Sequence, residues 1–206
     1  MSSTSLTPEL LLSAYRNGFF PMADPLEDDE ISWYAPDPRA VLPLGKFHVS
    51  RSLARVIRQK RFDIRVDTSF ADVIRGCART MSGRETTWIS DEIVDAYTQL
   101  HDLGYAHCVE SWLDGRLAGG LYGVSIGGAF FGESMFSVAS DASKVALAHL
   151  IERLKAGGYV LLDTQMTTPH LERLGVVLIP KSEYLNHLKK AVSAHAEWNA
   201  IDRSQL

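Results

Sequence analysis

Two polar side chains at the end of an apolar run could position a substrate and handle a proton. Asp163 and Gln165 follow Tyr159–Leu162, and a strand that continues through them would point both side chains to one side of a sheet. Ligands tend to bind at the carboxyl ends of strands in layered α/β folds, where a carboxylate that holds an amide suits proton transfer and orientation. The pattern fits equally well a strand end that only caps the following helix.

Glu133 is a third candidate, because it lies in the apolar stretch FFGESMF with Phe130 and Met135 as neighbours. A buried carboxylate is costly unless it is paired, hydrogen-bonded or protonated. Glu133 therefore either reaches solvent from a strand end or holds a cation or an amine beside an apolar pocket. Phe130 and Met135 are correspondingly either core residues or pocket lining.

The distribution of charge indicates a polyanionic partner. The net charge is −4, yet residues 39–84 contain 11 Lys and Arg against three Asp, and the rest contain 10 Lys and Arg against 22 Asp and Glu. A basic block in an acidic chain is typical of a nucleic-acid contact, although a solvated face gives the same pattern.

The basic block contains a predicted amphipathic helix near residues 50–61, with Ser50 as its N-cap. The outward face of this helix carries Arg51, Arg55 and Arg58, and its inward face carries Leu53, Val56 and Ile57. The arginine face is the best local candidate for binding phosphates.

The sequence predicts neither a metal site nor a nucleotide cofactor. The seven histidines show no HExxH spacing, and no GxxxxGK[ST] loop is present. The nearest approach to an acyl-CoA loop, residues 116–120, falls in a predicted hairpin strand instead of preceding a helix. There is no run of 18 apolar residues and no signal-peptide pattern, so we expect a cytoplasmic protein without a membrane segment, in which Cys77 and Cys108 are reduced and buried.

The order of the predicted elements indicates an α+β fold. A helix and a proline-rich segment come first, and the change in composition suggests a domain boundary near residue 40. Two helices, an antiparallel meander turning at Asp114–Gly115, and then helix, strand, short helix, strand and a last helix over about 182–196 follow. We expect a small N-terminal domain over residues 1–40 and a larger domain over residues 41–206.

Stretches along most of the chain resemble the leucyl/phenylalanyl-tRNA–protein transferases. The resemblance runs in order from about Tyr15 to Tyr184. It is carried by AYRNGFFPM, WYAPDPRAVLPL, FHVSRSLAR, TWIS, LGYAHCVESW, GGLYGV, GESMFS, ASKVAL, LLDTQ and HLERLGV. No single motif decides it, but their common order does.

The resemblance implies a cofactor-free aminoacyltransferase of the bacterial N-degron pathway. Such an enzyme moves leucine or phenylalanine, with methionine as a further candidate, from aminoacyl-tRNA to the α-amine of a protein that begins with Arg or Lys, which marks that protein for degradation. The implied fold is a small N-terminal domain packed on an acetyltransferase-like (GNAT-like) domain with a mixed, largely antiparallel sheet. The implied partners are charged tRNA and acceptor proteins, and we expect a monomer.

The resemblance also implies a role for each group of candidate residues. Gln165, oriented by Asp163, would position or help deprotonate the incoming amine, and Glu133 would hold an amino group. The pocket for the transferred side chain would be formed by Leu121, Phe130, Met135 and Leu150. The tRNA would be contacted by Arg51, Arg55, Arg58, Met22 and Trp33.

Met22 departs from the family pattern, because a tryptophan commonly follows the FP dipeptide there and would stack on the terminal adenine of the tRNA. Trp33 or Tyr34 would replace that surface, or nothing does. Leu121 and Leu150 stand where bulkier side chains can occur, which leaves the order of preference among leucine, phenylalanine and methionine open. Two other functions also remain: a tRNA-binding module without catalysis, and a tRNA-dependent transferase with a different acceptor.

Overall fold

A computed structural model describes residues 6–80 and 85–201. The helices are α1 (Pro8–Arg16), α2 (Arg51–Arg58), α3 (Phe70–Ala78), α4 (Asp91–Asp102), α5 (Ala142–Ala156), α6 (Pro169–Arg173) and α7 (Lys181–Ala191). The strands are β1 (Phe20–Asp24), β2 (Glu30–Tyr34), β3 (Arg39–Val41), β4 (Asp63–Val66), β5 (Ala106–Leu113), β6 (Arg116–Ile126), β7 (Ala129–Ser137), β8 (Leu161–Gln165) and β9 (Val177–Ile179).

The main sheet has seven strands in the order β4-β5-β6-β7-β8-β3-β9, and β1 and β2 form a separate antiparallel pair. Every pair in the main sheet is antiparallel except β7–β8, which is parallel. The predicted α+β fold with a mixed, mostly antiparallel sheet is therefore confirmed. Within the described ranges, no helix is both long and apolar enough to span a membrane.

Local sequence signals place most element boundaries. The hydroxyl of the predicted N-cap residue Ser50 accepts the backbone N–H of Leu53, and the hydroxyls of Thr7 and Ser90 cap α1 and α4 in the same way, by accepting the N–H of Leu10 and Ile93. Asp114 and Gly115 both have positive φ, as the predicted two-residue hairpin turn requires. Cys77 and Cys108 are both buried, as predicted.

Two helices are shorter than predicted. The helix α2 ends at Arg58 instead of near 61, and Lys60 has φ of 47°. Over two turns only Leu53 of the predicted inward face is buried, while Ile57 is 38% exposed. The last helix ends at Ala191, whose carbonyl accepts the N–H of Gly128 in the β6–β7 turn, so tertiary contact stops it before the expected residue 196.

The N-terminal segment shares its core with the main sheet. Leu11 and Tyr15 of α1 belong to the same buried cluster as Tyr97 of α4 and Phe131 of β7. The predicted boundary at residue 40 falls inside β3, which lies between β8 and β9 in the main sheet. This packing brings α1 to the part of the sheet where the polar candidates lie.

A bulge and a strand separation create space in the middle of the sheet. The strands β7 and β8 pair only as far as Phe131 and Asp163. In β7 the register against β6 shifts between Gly132 and Ser134, so Glu133 is the extra residue of a bulge. Bulges re-aim side chains, and this one turns Glu133 into the gap that opens beyond the paired part of β7 and β8.

Candidate active site

The carboxyl group of Glu133 is enclosed by side chains from three other elements. The Tyr15 hydroxyl from α1 and the Gln165 Nε2 from β8 donate to Glu133 Oε1 at 2.7 and 2.9 Å. The Tyr97 hydroxyl from α4 lies 3.5 Å from Oε2, and it is hydrogen-bonded to the Tyr15 hydroxyl. All these donors are uncharged, so nothing in the group neutralises an ionised Glu133.

The ionisation of this cluster reflects its enclosure. Burial is the main cause that raises the pKa of Glu133 to about 8, and the charge of Asp163 adds to it, against the hydrogen bond from Tyr15 and the charge of Arg39. Burial and the nearby Glu133 raise the pKa of Tyr15 and of Tyr97 well above the ordinary value. Near neutral pH Glu133 is therefore largely protonated, and an incoming cation would favour its carboxylate form.

Asp163 has the opposite surroundings, because its fully buried carboxylate is paired with a cation. Arg39 donates to it from Nε at 3.0 Å and from Nη2 at 2.7 Å, and the Tyr184 hydroxyl donates at 2.6 Å. Burial alone would lower the pKa of Arg39, but the hydrogen bonds and charge of Asp163 raise it on balance. The charge of Asp163 is thus balanced by Arg39, and both of its carboxylate oxygens already accept hydrogen bonds.

Asp163 fixes Gln165 through the backbone. The Gln165 N–H donates to Asp163 Oδ1 at 2.8 Å, and Gln165 has φ of 55°, a left-handed conformation uncommon outside glycine. The side-chain amide nitrogen is held by Glu133, whereas the amide oxygen accepts no hydrogen bond from a described residue. Gln165 therefore presents a fixed carbonyl oxygen.

A cavity of about 400 Å³ begins at Glu133. Its apolar walls are formed by Leu42, Leu121, Met135, Leu147, Leu150 and Leu162. Three of the four predicted pocket residues, Leu121, Met135 and Leu150, lie in these walls. Phe130 does not line the cavity, since its fully buried ring stacks on Trp198 with centroids 5.5 Å apart.

The predicted tRNA contacts lie outside this cavity. The three predicted arginines of α2 are exposed. Met22 is partly buried against the main core, and Trp33, 36% exposed, lies opposite Pro21 in the β1–β2 pair. The structure therefore does not bring Met22 or Trp33 to the walls around Glu133.

Four residues of the polar cluster were not singled out from the sequence: Tyr15, Tyr97, Arg39 and Tyr184. Tyr97 has the spacing of an inward helix residue, so periodicity describes it as core. A signal existed for Arg39, a lone cation before the apolar run AVLPL, which needs a buried anion if that run is a core strand.

Two family models match the chain. The model of the leucyl/phenylalanyl-tRNA protein transferase matches residues 41–189, and the model of the N-terminal domain of that transferase matches residues 4–37. Among solved structures, L-PGS from Bacillus licheniformis is 14% identical, with 78% of this chain and 51% of that chain covered and a TM-score of 0.43.

Curated relatives agree with the family models. A leucyl/phenylalanyl-tRNA–protein transferase of Gloeobacter violaceus is 58% identical over 189 residues, which cover 92% of this chain and 95% of the relative. One from Zymomonas mobilis is 52% identical, with 96% of this chain and 76% of the relative covered. With both models and these relatives in agreement, the chain belongs to the leucyl/phenylalanyl-tRNA protein transferases, a family of aminoacyltransferases.

Proposed function

We propose that this chain transfers leucine or phenylalanine from aminoacyl-tRNA to the N-terminal α-amine of proteins that begin with Arg or Lys, and so marks them for degradation. The observation that carries the proposal is the cavity beside Glu133, which joins apolar walls to the Glu133 carboxyl group; the Gln165 amide lies behind this wall and donates to Glu133. An aminoacyl group has the matching parts: an apolar side chain, an amino group and a reactive carbonyl.

The apolar walls would take the transferred side chain. Leu121, Met135 and Leu150 surround a space in which burial of a leucine or phenylalanine side chain is worth about 1.5–3 kcal/mol. A single missing methylene changes selection only about 10–200-fold, so the shape of the walls must add to discrimination. Phe130 would contribute indirectly, because its buried ring fixes the strand β7, which carries Met135.

Glu133 would hold an ammonium or amino group at the mouth of the pocket. The donors around Glu133 are neutral and do not balance a negative charge on it. An ammonium group would balance that charge and so convert Glu133 to the carboxylate. The reaction itself forms a C–N bond between the acceptor amine and the ester carbonyl and breaks the ester C–O bond, while the amine proton passes to the ribose oxygen.

Gln165 would orient the attacking amine through its free amide oxygen. The ester is already activated, so orientation and stabilisation of the developing oxyanion are the main tasks. Asp163 would act as a positioning residue, because it accepts the Gln165 N–H and is itself held by Arg39. The oxygens of Asp163 already accept hydrogen bonds, so Asp163 is not available to take the amine proton.

The exposed arginines of α2 would bind tRNA phosphates. Arg51, Arg55 and Arg58 take part in no ion pair within the described residues, and phosphate contacts of this kind are largely independent of sequence. Met22 and Trp33 would contact the tRNA further from the cavity, on the β1–β2 pair.

We infer in addition that the larger domain, residues 41–206, is acetyltransferase-like, with residues 1–40 as a small N-terminal domain packed on it. The support is the parallel β7–β8 pair inside an otherwise antiparallel sheet, whose strands part beyond Phe131 and Asp163. The acyl group would occupy that gap.

The test is transfer of labelled phenylalanine and leucine, each from charged tRNA, to two peptides that differ only in an N-terminal Arg or Ala. Transfer to the Arg peptide alone supports the proposal, and transfer to both peptides would require a different acceptor rule. No transfer to either while charged tRNA still binds would favour a binding module. Gln165→Ala should lose transfer but keep tRNA binding, whereas the exposed control Gln99→Ala on α4 should keep both.

A further inference from the structure

A second cavity of about 750 Å³ lies between α2, β4 and α5 and shares no lining residue with the cavity beside Glu133. We call it the α2–α5 groove; its lining includes Val56, Ile57, Phe62, Ile64, Ala148 and His149. Its volume is within the range of roughly 300–1,000 Å³ typical of sites for small organic groups.

The groove exposes apolar surface, including Ile57 of α2, which was predicted to face inward. Ile57 is 38% exposed and Val49 is 39% exposed, and both line the groove. Two aliphatic side chains in contact with water beside a concave apolar wall favour a ligand with an apolar face.

The rim of the groove is positive. Arg58, Lys60 and Arg61 line it, and within the described ranges none of them forms an ion pair. The two carboxylates of the rim are already engaged: Asp63 pairs with Arg65 at 2.8 Å, and Glu152 pairs with Lys155 at 2.8 Å. The ligand that complements this rim carries negative charge next to its apolar part.

The inner wall contains a histidine, His149, which is uncharged. Nε2 of His149 is buried and has no hydrogen-bond partner among the described residues. Burial, together with the charge of Arg153, lowers the pKa of His149 to about 4, so the imidazole is neutral near pH 7. A neutral imidazole adds no charge to the inner wall, so the positive charge of the groove is confined to its rim.

We propose that the α2–α5 groove binds one unpaired nucleobase of the tRNA, while Arg58, Lys60 and Arg61 hold the phosphates on either side of it. The tRNA as partner rests on the proposed function. Single-stranded RNA is bound by this combination of a cationic rim and a surface for a flat base, with guanidinium planes and aromatic rings as stacking surfaces. Arg61 itself is exposed and lies over the buried Phe62 ring, 5.4 Å from its centroid, so Phe62 supports the guanidinium and has no exposed face of its own. A base within a duplex is stacked and paired on its edge, so the nucleotide that binds here is unpaired.

The test compares binding of a 3′-blocked octaribonucleotide with binding of an abasic sugar–phosphate chain of the same length. The wild-type chain should bind the base-bearing oligomer about tenfold more tightly, as loss of one base stack predicts. Ala148→Trp, which fills the groove and leaves every cation in place, should remove this preference. The control Val160→Trp, at a position 62% exposed and outside both cavities, should keep it.

A second variant keeps the test valid if Ala148→Trp does not fold. Ile57→Ser removes apolar surface from an exposed position and should reduce the preference about threefold or more. Unchanged preference in both variants would overturn the proposal, as would equal binding of the two oligomers by the wild-type chain. Displacement of the oligomer by anionic phospholipid vesicles from the wild type and not from Ala148→Trp would assign the groove to a lipid headgroup instead.

Transfer assays separate this proposal from the proposed function. At saturating charged tRNA, Ala148→Trp should transfer to the Arg peptide with unchanged kcat, and its KM for tRNA should rise about tenfold. Unchanged KM with normal transfer would reject the groove and leave the proposed function intact. Absence of transfer by the wild-type chain itself would reject the proposed function.

Discussion

Glu133→Gln should remove a pH dependence of stability that the wild-type chain shows. The pKa of Glu133 is about 8 in the folded protein because the group is enclosed, against an ordinary value of 4.5. Between these two values the folded protein holds one proton more than the unfolded chain. The free energy of unfolding therefore falls as pH rises, by about 1.4 kcal/mol per pH unit from this group.

The size of this change in the free energy of unfolding can be calculated for a pH range in which urea unfolding is practical. From pH 5.5 to 7.5 the wild type should lose about 2–3 kcal/mol relative to Glu133→Gln, since the glutamine does not titrate but can still accept the bond from Tyr15. Urea unfolding of both proteins at three pH values measures this difference. The control Glu9→Gln, whose side chain is exposed on α1, should differ from the wild type by the same amount at each pH.

A difference between wild type and Glu133→Gln that stays constant within about 0.5 kcal/mol over this range would refute the reasoning. It would mean that Glu133 is already ionised at pH 5.5 in the folded protein, so that burial among neutral groups does not raise its pKa. A difference of the opposite sign would mean that the folded protein stabilises the carboxylate, and Glu133 would then resemble Asp163.

Three further outcomes are expected. Arg39→Met should lower the free energy of unfolding, measured with urea, by about 3–5 kcal/mol, because it leaves Asp163 buried without its cation. Adding Asp163→Leu to the same chain should recover part of that loss. A cost below about 1 kcal/mol for Arg39→Met would contradict the role of the ion pair. Replacement of the three α2 arginines by alanine should reduce the slope of log Kd for tRNA against log salt by about 2–3, and an unchanged slope would remove α2 from the interface. Leu150→Phe should narrow the pocket and shift transfer from phenylalanine towards leucine by about tenfold in a competition assay, whereas an unchanged ratio would place the side chain elsewhere.

Short-range signals explain what could be predicted from the sequence. The cap at Ser50 and the turn at Asp114 depend on residues within a few positions, and both have the predicted geometry. The end of α7 could not be predicted in this way, because one of the two N–H groups that bind its last carbonyl comes from Gly128, far away in sequence.

The polar cluster was predicted only in part for the same reason. Glu133 and Gln165 stand out because each is a polar residue that interrupts an apolar strand. Their partners do not: Tyr15 is 118 positions from Glu133, and Arg39 is 124 positions from Asp163. Tyrosine at an inward position has the pattern of core, and only the fold shows that its hydroxyl meets a carboxyl group.

The contrast between the two carboxyl groups explains how one site can combine rigidity with response to a ligand. Asp163 accepts its bonds from a guanidinium, a hydroxyl and a backbone N–H, so its charge is balanced before any substrate arrives and Gln165 stays fixed. Glu133 accepts hydrogen bonds only from neutral donors, so its ionised form is favoured only when a cation binds beside it. Entry of an ammonium group would make Glu133 release its proton, which couples amine binding to proton release while the neighbouring Gln165 stays in place.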